Sequence, residues 1–233
     1  MIYSKQHKVI SVSEKAHPLL LSYLQQKGMK MRLISNLNGS MIGTHTDLYY
    51  CQMGETVYHA PNKIPGKDYP GDSVYNAACT GIFFIHNTKI TSPDLITEAK
   101  KKGMIIINVK QGYAKCNCAV IDKNSIITSD AGIAKKCCEY NRSNGSDTAH
   151  ETIECLLIRP GHIALEGFKY GFIGGASGRI GDEIIFNGDL SLHPDYIIIR
   201  NFITERGLKL KYFDQYPLTD IGSIVCGSEL IRV

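Results

Sequence analysis

The sequence predicts an α/β protein in which five copies of a ββαβ-type unit close into a five-fold pseudosymmetric propeller. Two observations carry this expectation. The same pattern recurs along the chain: a polar turn, a short apolar strand, a Ser, Thr or Asn helix start, an apolar-periodic helix and a second apolar strand. The first such pattern opens in mid-unit at Val9-Ile10-Ser11-Val12, and Gly222-Ser223-Ile224-Val225-Cys226 begins a unit near the other end, so joining the two completes a fifth. A unit that cannot bury its own apolar face must stack on its neighbours.

The elements follow in order. Val9–Ser13 reads as a strand. The next helix has His17-Pro18 at its start, Leu20, Tyr23 and Leu24 as its apolar stripe and Gly28 as its stop, and the strand Met29–Ile34 follows. Asp47–Cys51 and Glu55–His59 form a hairpin pattern around Met53-Gly54 with no helix after it, a degenerate unit. The clearest copy runs from His86-Asn87 through Ser92-Pro93, a helix N-cap and first-turn proline, to Gly103 and the strand Met104–Ile107. Another passes Ile126–Asp130 and resumes at Ile153–Ile158. The next runs through Ile184–Asn187, a helix near His193-Pro194 with the stripe Ile198, Phe202 and Ile203, then Gly207 and Leu208–Phe213. Segments 35–43, 61–71 and 141–150, rich in Gly, Pro, Asn and Ser, read as loops. A doubly wound parallel sheet is the alternative, but the chain has no glycine-rich nucleotide loop.

With 43% apolar and 21% charged residues, 233 residues suffice for a substantial core, and one domain spanning 1–233 is expected. A net charge of +4, interspersed along the chain, does not indicate nucleic acid. No apolar run reaches membrane-spanning length and no signal-peptide core opens the chain, so a cytoplasmic protein is expected. Neither Cys116-x-Cys118 nor Cys137-Cys138 has the paired spacing of a zinc site, so all eight cysteines are read as free thiols. No metal or cofactor is assigned.

Five such units, the split terminal repeat and the segment Gly222-Ser223-Ile224-Val225-Cys226-Gly227-Ser228 resemble the pentein superfamily of guanidino-group-modifying enzymes. The resemblance covers nearly the whole chain in repeat logic and matches residue motifs in patches. It implies Cys226 as a nucleophile near the C-terminus. Attack on a resonance-stabilised guanidinium carbon calls for a thiolate, which forms a covalent amidino intermediate. Carboxylates that bind the cation through paired hydrogen bonds are implied at Asp72, in Tyr69-Pro70-Gly71-Asp72-Ser73, and at Glu166, in Leu165-Glu166-Gly167. The family's histidine has no counterpart in Gly174–Arg179. The similar string Gly43-Thr44-His45-Thr46-Asp47 makes His45 the candidate proton shuttle.

Asn76 and Asn117 are candidates for the channel lining, and Arg179 for an anionic group of the ligand. Two functions follow as expectations. One is a cysteine-dependent hydrolase or transferase of a guanidine or amidine compound; the alternative is a catalytically inactive member that binds a small molecule or a protein. The oligomeric state stays open.

Overall fold

The computed structural model describes residues 8–59, 65–144 and 151–229. Strand β1 (Lys8–Ser13), helix α1 (Pro18–Gln25) and β2 (Lys30–Ile34) come first. His17 caps α1, its Nδ1 accepting from the Leu19 amide at 3.2 Å, and Pro18 fills the first helical position. The hairpin β3 (Tyr50–Met53) and β4 (Thr56–His59) follows without a helix. Next come β5 (Ala78–Cys79), β6 (Phe83–His86), α2 (Pro93–Lys101) and β7 (Ile105–Asn108). A one-turn helix α3 (Ala114–Asn117) leads into β8 (Cys118–Val120), β9 (Ser125–Thr128), α4 (Ala131–Asn144) and β10 (Glu154–Leu157). Then come β11 (Ser177–Ile180), β12 (Glu183–Phe186), α5 (Tyr196–Thr204), β13 (Lys209–Lys211) and finally β14 (Val225–Glu229).

The result is a mixed α/β protein with four small sheets and, among the described residues, five α-helices. Three sheets share one topology: an antiparallel hairpin, a helix, and a third strand parallel to the second. They are β5-β6-β7, β8-β9-β10 and β11-β12-β13. The fourth sheet contains the same motif assembled from both ends of the fold. There β14 pairs antiparallel with β1, from Ser11↔Val225 to Lys8↔Ser228, and β1 pairs parallel with β2. The hairpin β3-β4 completes that sheet through β14. The joining of the two ends is thus made by residues 8–11 and 225–228.

The first strands of successive units also touch. Strand β14 contacts β3, β3 contacts β5, β5 contacts β8, β8 contacts β11, and β11 contacts β14. The apolar core sits in the seams between units. Ile127 and Ala119 of one unit pack with Phe186, Ile199 and Ile203 of the next. Ile180, Ile185 and Phe213 pack in turn with Ile10, Leu20 and Leu24. Middle strands such as β6 and β9 are buried at every residue, their polar ends His86, Ser125 and Thr128 included.

Several local expectations shift. The α5 stripe faces inward through Ile199 and Ile203, while Ile198 is exposed; four consecutive apolar residues from Tyr196 left the phase ambiguous. Asn141–Asn144 is helical, the end of α4, because Asn141 anchors it with side-chain hydrogen bonds to both backbone groups of Ile153. Ser92 starts α2 through its carbonyl, which accepts from Leu95 and Ile96, and its hydroxyl makes no cap. Segments 61–64 and 145–150 lie outside the described residues.

Candidate functional site

The segments just ahead of the first strands converge. Asp47 precedes β3, Asn76 precedes β5, Cys116 lies two residues before β8, Gly175 two before β11, and Ser223 two before β14. The Cys116 thiol donates to the Asp47 carboxylate, with Sγ 3.2 and 3.1 Å from its two oxygens. Asn76 Nδ2 donates to the same sulfur at 3.4 Å, and Asn76 Oδ1 accepts from the Lys115 and Cys116 amides, fixing the turn that presents the thiol. Ser223 Oγ contacts Asp47 Oδ2 at 2.6 Å and the Gly174 carbonyl at 2.9 Å. Lys115 Nζ donates to Ser223 Oγ at 2.9 Å. Among the described residues Ser223 is the one non-glycine with positive φ, at +72°, a strain held in place by these contacts.

Asp220 enters from the segment before β14. Its Oδ2 accepts from the Phe172 amide and its Oδ1 from the Gly222 amide, both at 2.9 Å. His45 Nδ1 stands 3.8 Å from Asp220 Oδ1, too far for a hydrogen bond, and has no hydrogen-bond partner although the ring is buried. Glycines make this convergence fit. A Cβ on Gly222, at φ +73°, would meet His45, and one on Gly175 would meet the Asp220 carboxylate.

Part of this cluster opens onto a cavity of about 430 Å³. His45, Cys116, Asp220 and Asp72 lie in its lining, with Tyr69, Tyr113, Phe168, Tyr170 and Phe172 as walls and Lys67 and Asp68 also lining it. Asp72 Oδ2 accepts from Tyr113 Oη at 2.7 Å, while its Oδ1 is buried without a partner. Two polar atoms, His45 Nδ1 and Asp72 Oδ1, are therefore left unsatisfied at one concave site, a costly arrangement unless a ligand completes it.

Burial sets the electrostatics of the cluster. Burial pushes the Cys116 thiol well above its ordinary range, and the Asp47 and Asp220 carboxylates add to that rise. Burial also raises Asp220 to about 6, against the pull of its two backbone donors. It raises Asp72, with the Tyr113 hydrogen bond opposing, and it lowers His45, with the Asp47 charge opposing. The resting site therefore holds a neutral thiol and a neutral imidazole.

Of the residues singled out from sequence, His45 and Asp72 reach the cavity and Asn76 touches its thiol. Asn117 lies beside the site, its Nδ2 donating to the Tyr113 carbonyl at 3.0 Å. Cys226 is not brought there. It lies within β14, packed in the core with Ile10, Leu20 and Leu24, and its Sγ is 3.9 Å from Met29 Sδ. Glu166 is exposed and pairs with Lys15 at 3.3 Å. Arg179 points elsewhere: it donates to the Ile121 carbonyl at 2.7 Å and lines a separate cavity of about 280 Å³. Cys116, Asp47, Tyr113, Asp220 and Ser223 escaped the sequence reading as site residues. The signal that identifies Cys116 was present, because it precedes a unit's first strand whereas Cys226 lies inside one.

The fold and site define a mixed α/β protein of repeated ββαβ units with a buried thiol–carboxylate–imidazole cluster at the floor of an aromatic cavity. Residues 57–225 match a family of unknown function, DUF6873, and the chain belongs to that family. The matched span contains Asp72, Cys116 and Asp220 and begins after His45 and Asp47. No curated protein matches the chain.

Proposed function

We propose that this chain is a pentein-like, cysteine-dependent hydrolase or transferase of a guanidine or amidine compound, with Cys116 in place of Cys226 as nucleophile. The observation that carries the reading is the contact of the Cys116 thiol with buried Asp47, beside His45 and Asp220, at a cavity that Asp72 and Asp220 also line. The five-unit ring is part of the proposal. It is supported by the repeated strand order, the β14–β1 pairing and the cycle of contacts from β14 through β3, β5, β8 and β11.

Asp47, Asp72 and Asp220 are all nearly or fully buried, and burying carboxylates together costs free energy unless a cation compensates. A planar guanidinium supplies that charge with a fan of N–H donors matched to carboxylates. Its charge beside Cys116 lowers the thiol pKa, and the proton passes to Asp47. The sulfur attacks the amidine carbon and the C=N electron pair moves to nitrogen. Collapse expels ammonia or an amine, which takes the proton from Asp47, and an S-amidino enzyme remains. Water then attacks; His45 accepts its proton and returns it to the departing Cys116 sulfur. The balance is amidine plus water giving a carbonyl product plus amine; a second amine in place of water makes the reaction a transfer.

A specific observation favours a second reading, a binding module. The thiol donates to Asp47 and not to His45, so no thiolate–imidazolium pair stands ready. Release of ammonia or amine from agmatine, arginine, methylated arginines and simple amidines tests both. Turnover abolished in Cys116→Ser and kept in Cys226→Ser supports the enzyme. Saturable binding without turnover supports the module. Neither turnover nor binding across that panel retires the guanidine reading.

A further inference from the structure

The same cluster carries an inference that does not depend on the hydrolase reading. One ring nitrogen of His45, Cys116 Sγ and one Asp220 carboxylate oxygen lie within 4.8 Å of one another, and all three residues are buried. His45 Nδ1 is an unsatisfied donor atom facing this point, and the nearest Asp220 oxygen is 3.8 Å away. Bonds of roughly 2.3 Å to sulfur and 2.0–2.2 Å to nitrogen and oxygen put neighbouring ligands of a tetrahedral ion about 3.3–3.8 Å apart. The cluster is therefore within a small adjustment of a three-ligand shell. Asp47, in contact with the Cys116 sulfur, stands next to it.

We propose that His45, Cys116 and Asp220 form a binding site for a thiophilic divalent cation of the zinc class. The donor set selects the ion. A thiolate with an imidazole and a single carboxylate suits Zn²⁺ and Co²⁺, whereas Mg²⁺ and Ca²⁺ require oxygen-rich shells. On binding, the Cys116 S–H bond breaks, a sulfur–metal bond forms and one proton is released to solvent, with no change of oxidation state. His45 coordinates through its free Nδ1 and Asp220 through an oxygen. The cavity gives solvent access and room for a fourth ligand.

The ligands come from three separated parts of the chain, the segments before β3, β8 and β14, so no local pair of ligands announces the site. Thiols elsewhere lie in different surroundings. Cys51 and Cys79 are 3.7 Å apart and pack in an apolar seam with Met53, Tyr58, Phe84 and Leu95. They serve as an internal control for unspecific sulfur ligation.

The test is titration of chelator-stripped protein with Co²⁺, read as the sulfur-to-cobalt charge-transfer band in the near ultraviolet. One equivalent should produce the band, Zn²⁺ should bleach it, and a hundredfold excess of Mg²⁺ should leave it unchanged. Cys116→Ser should lose the band. His45→Ala and Asp220→Asn should weaken binding at least tenfold, and Cys51→Ser and Cys226→Ser should match wild type. Circular dichroism on each variant separates lost ligation from lost folding; if Cys116→Ser does not fold, the His45 and Asp220 variants decide. A band absent from wild type, or one that persists at full strength in Cys116→Ser or in both other ligand variants, overturns the proposal. Metal binding without amidine turnover removes the hydrolase and leaves the metal site standing.

Discussion

Gly222→Ala separates two costs that usually arrive together. Gly222 has φ +73° and Gly207, just after α5, has φ +71°, so an alanine at either position bears nearly the same backbone strain. About 1–2 kcal/mol is expected for a left-handed non-glycine residue. Their surroundings differ completely. A Cβ on Gly207 has no heavy atom within 4 Å, whereas one on Gly222 would fall well inside 3.0 Å of His45 Cα, Cβ and Cγ. His45 is buried and its amide is bonded to the Ile42 carbonyl, while the Gly222 carbonyl accepts from the Asp47 amide. Neither side can yield without disturbing the cluster, so overpacking adds about 1–3 kcal/mol. Gly207→Ala should therefore cost about 1–2 kcal/mol and Gly222→Ala about 2–5 kcal/mol. Urea unfolding at constant m-value measures both. Equal costs for the two variants would refute the claim that Gly222 is glycine because of His45.

Other outcomes follow from the same geometry. Alkylation of the native protein followed by mass spectrometry should label exposed Cys138 first and leave Cys116 unmodified, since its thiol is buried and protonated; rapid Cys116 labelling would contradict the site described. His86 is held neutral by burial, its pKa lowered to about 4, with Thr91 Oγ1 and the Gly112 carbonyl at 2.6 and 2.7 Å from its ring nitrogens. The unfolded chain binds that proton below about pH 6.5, so this group alone should lower stability by up to about 3 kcal/mol as pH falls from 6.5 to 4. An acid-side slope unchanged in His86→Gln would show otherwise. Burial raises Glu183, but the Lys27 ammonium and the Tyr23 hydroxyl outweigh it and hold its carboxyl below the usual range. That contribution is present above pH 4.5 and is lost as pH falls through the lowered value. Glu183→Gln should cost about 1.5–3 kcal/mol at pH 7 and much less at pH 3.

The repeated unit was legible because its helices declare their ends, as at His17-Pro18 and Gly28, and because its middle strands carry short apolar runs, as at Phe83–Ile85 and Ile126-Ile127. The hairpin without a helix at 50–59 was legible from the missing stripe. His45 and Asp72 could be singled out because they sit in short strings resembling known motifs. Cys116 could not be singled out in that way: its partners Asp47 and Asp220 are 69 residues before it and 104 after it in the numbering, and pairing across such distances leaves no local pattern. Resemblance drew attention to Cys226, but a cysteine inside a strand points into a seam, where it behaves as a small apolar side chain. The phase of α5 failed for a different reason, since Tyr196-Ile197-Ile198-Ile199 offers two inward faces of equal hydrophobicity.

The pairing of β14 with β1 sets an order of events as well as a shape. Strand β1 emerges from the ribosome more than two hundred residues before its antiparallel partner, and until then one of its edges is unpaired. Contacts of such sequence separation form slowly and late. Asp220 and Ser223 travel on the segment leading into β14, so the Asp220–Ser223 side of the cluster comes last in the chain, next to the strand that covers that edge. Assembly of the buried cluster and closure of the β1 edge therefore both wait on the last stretch of described chain.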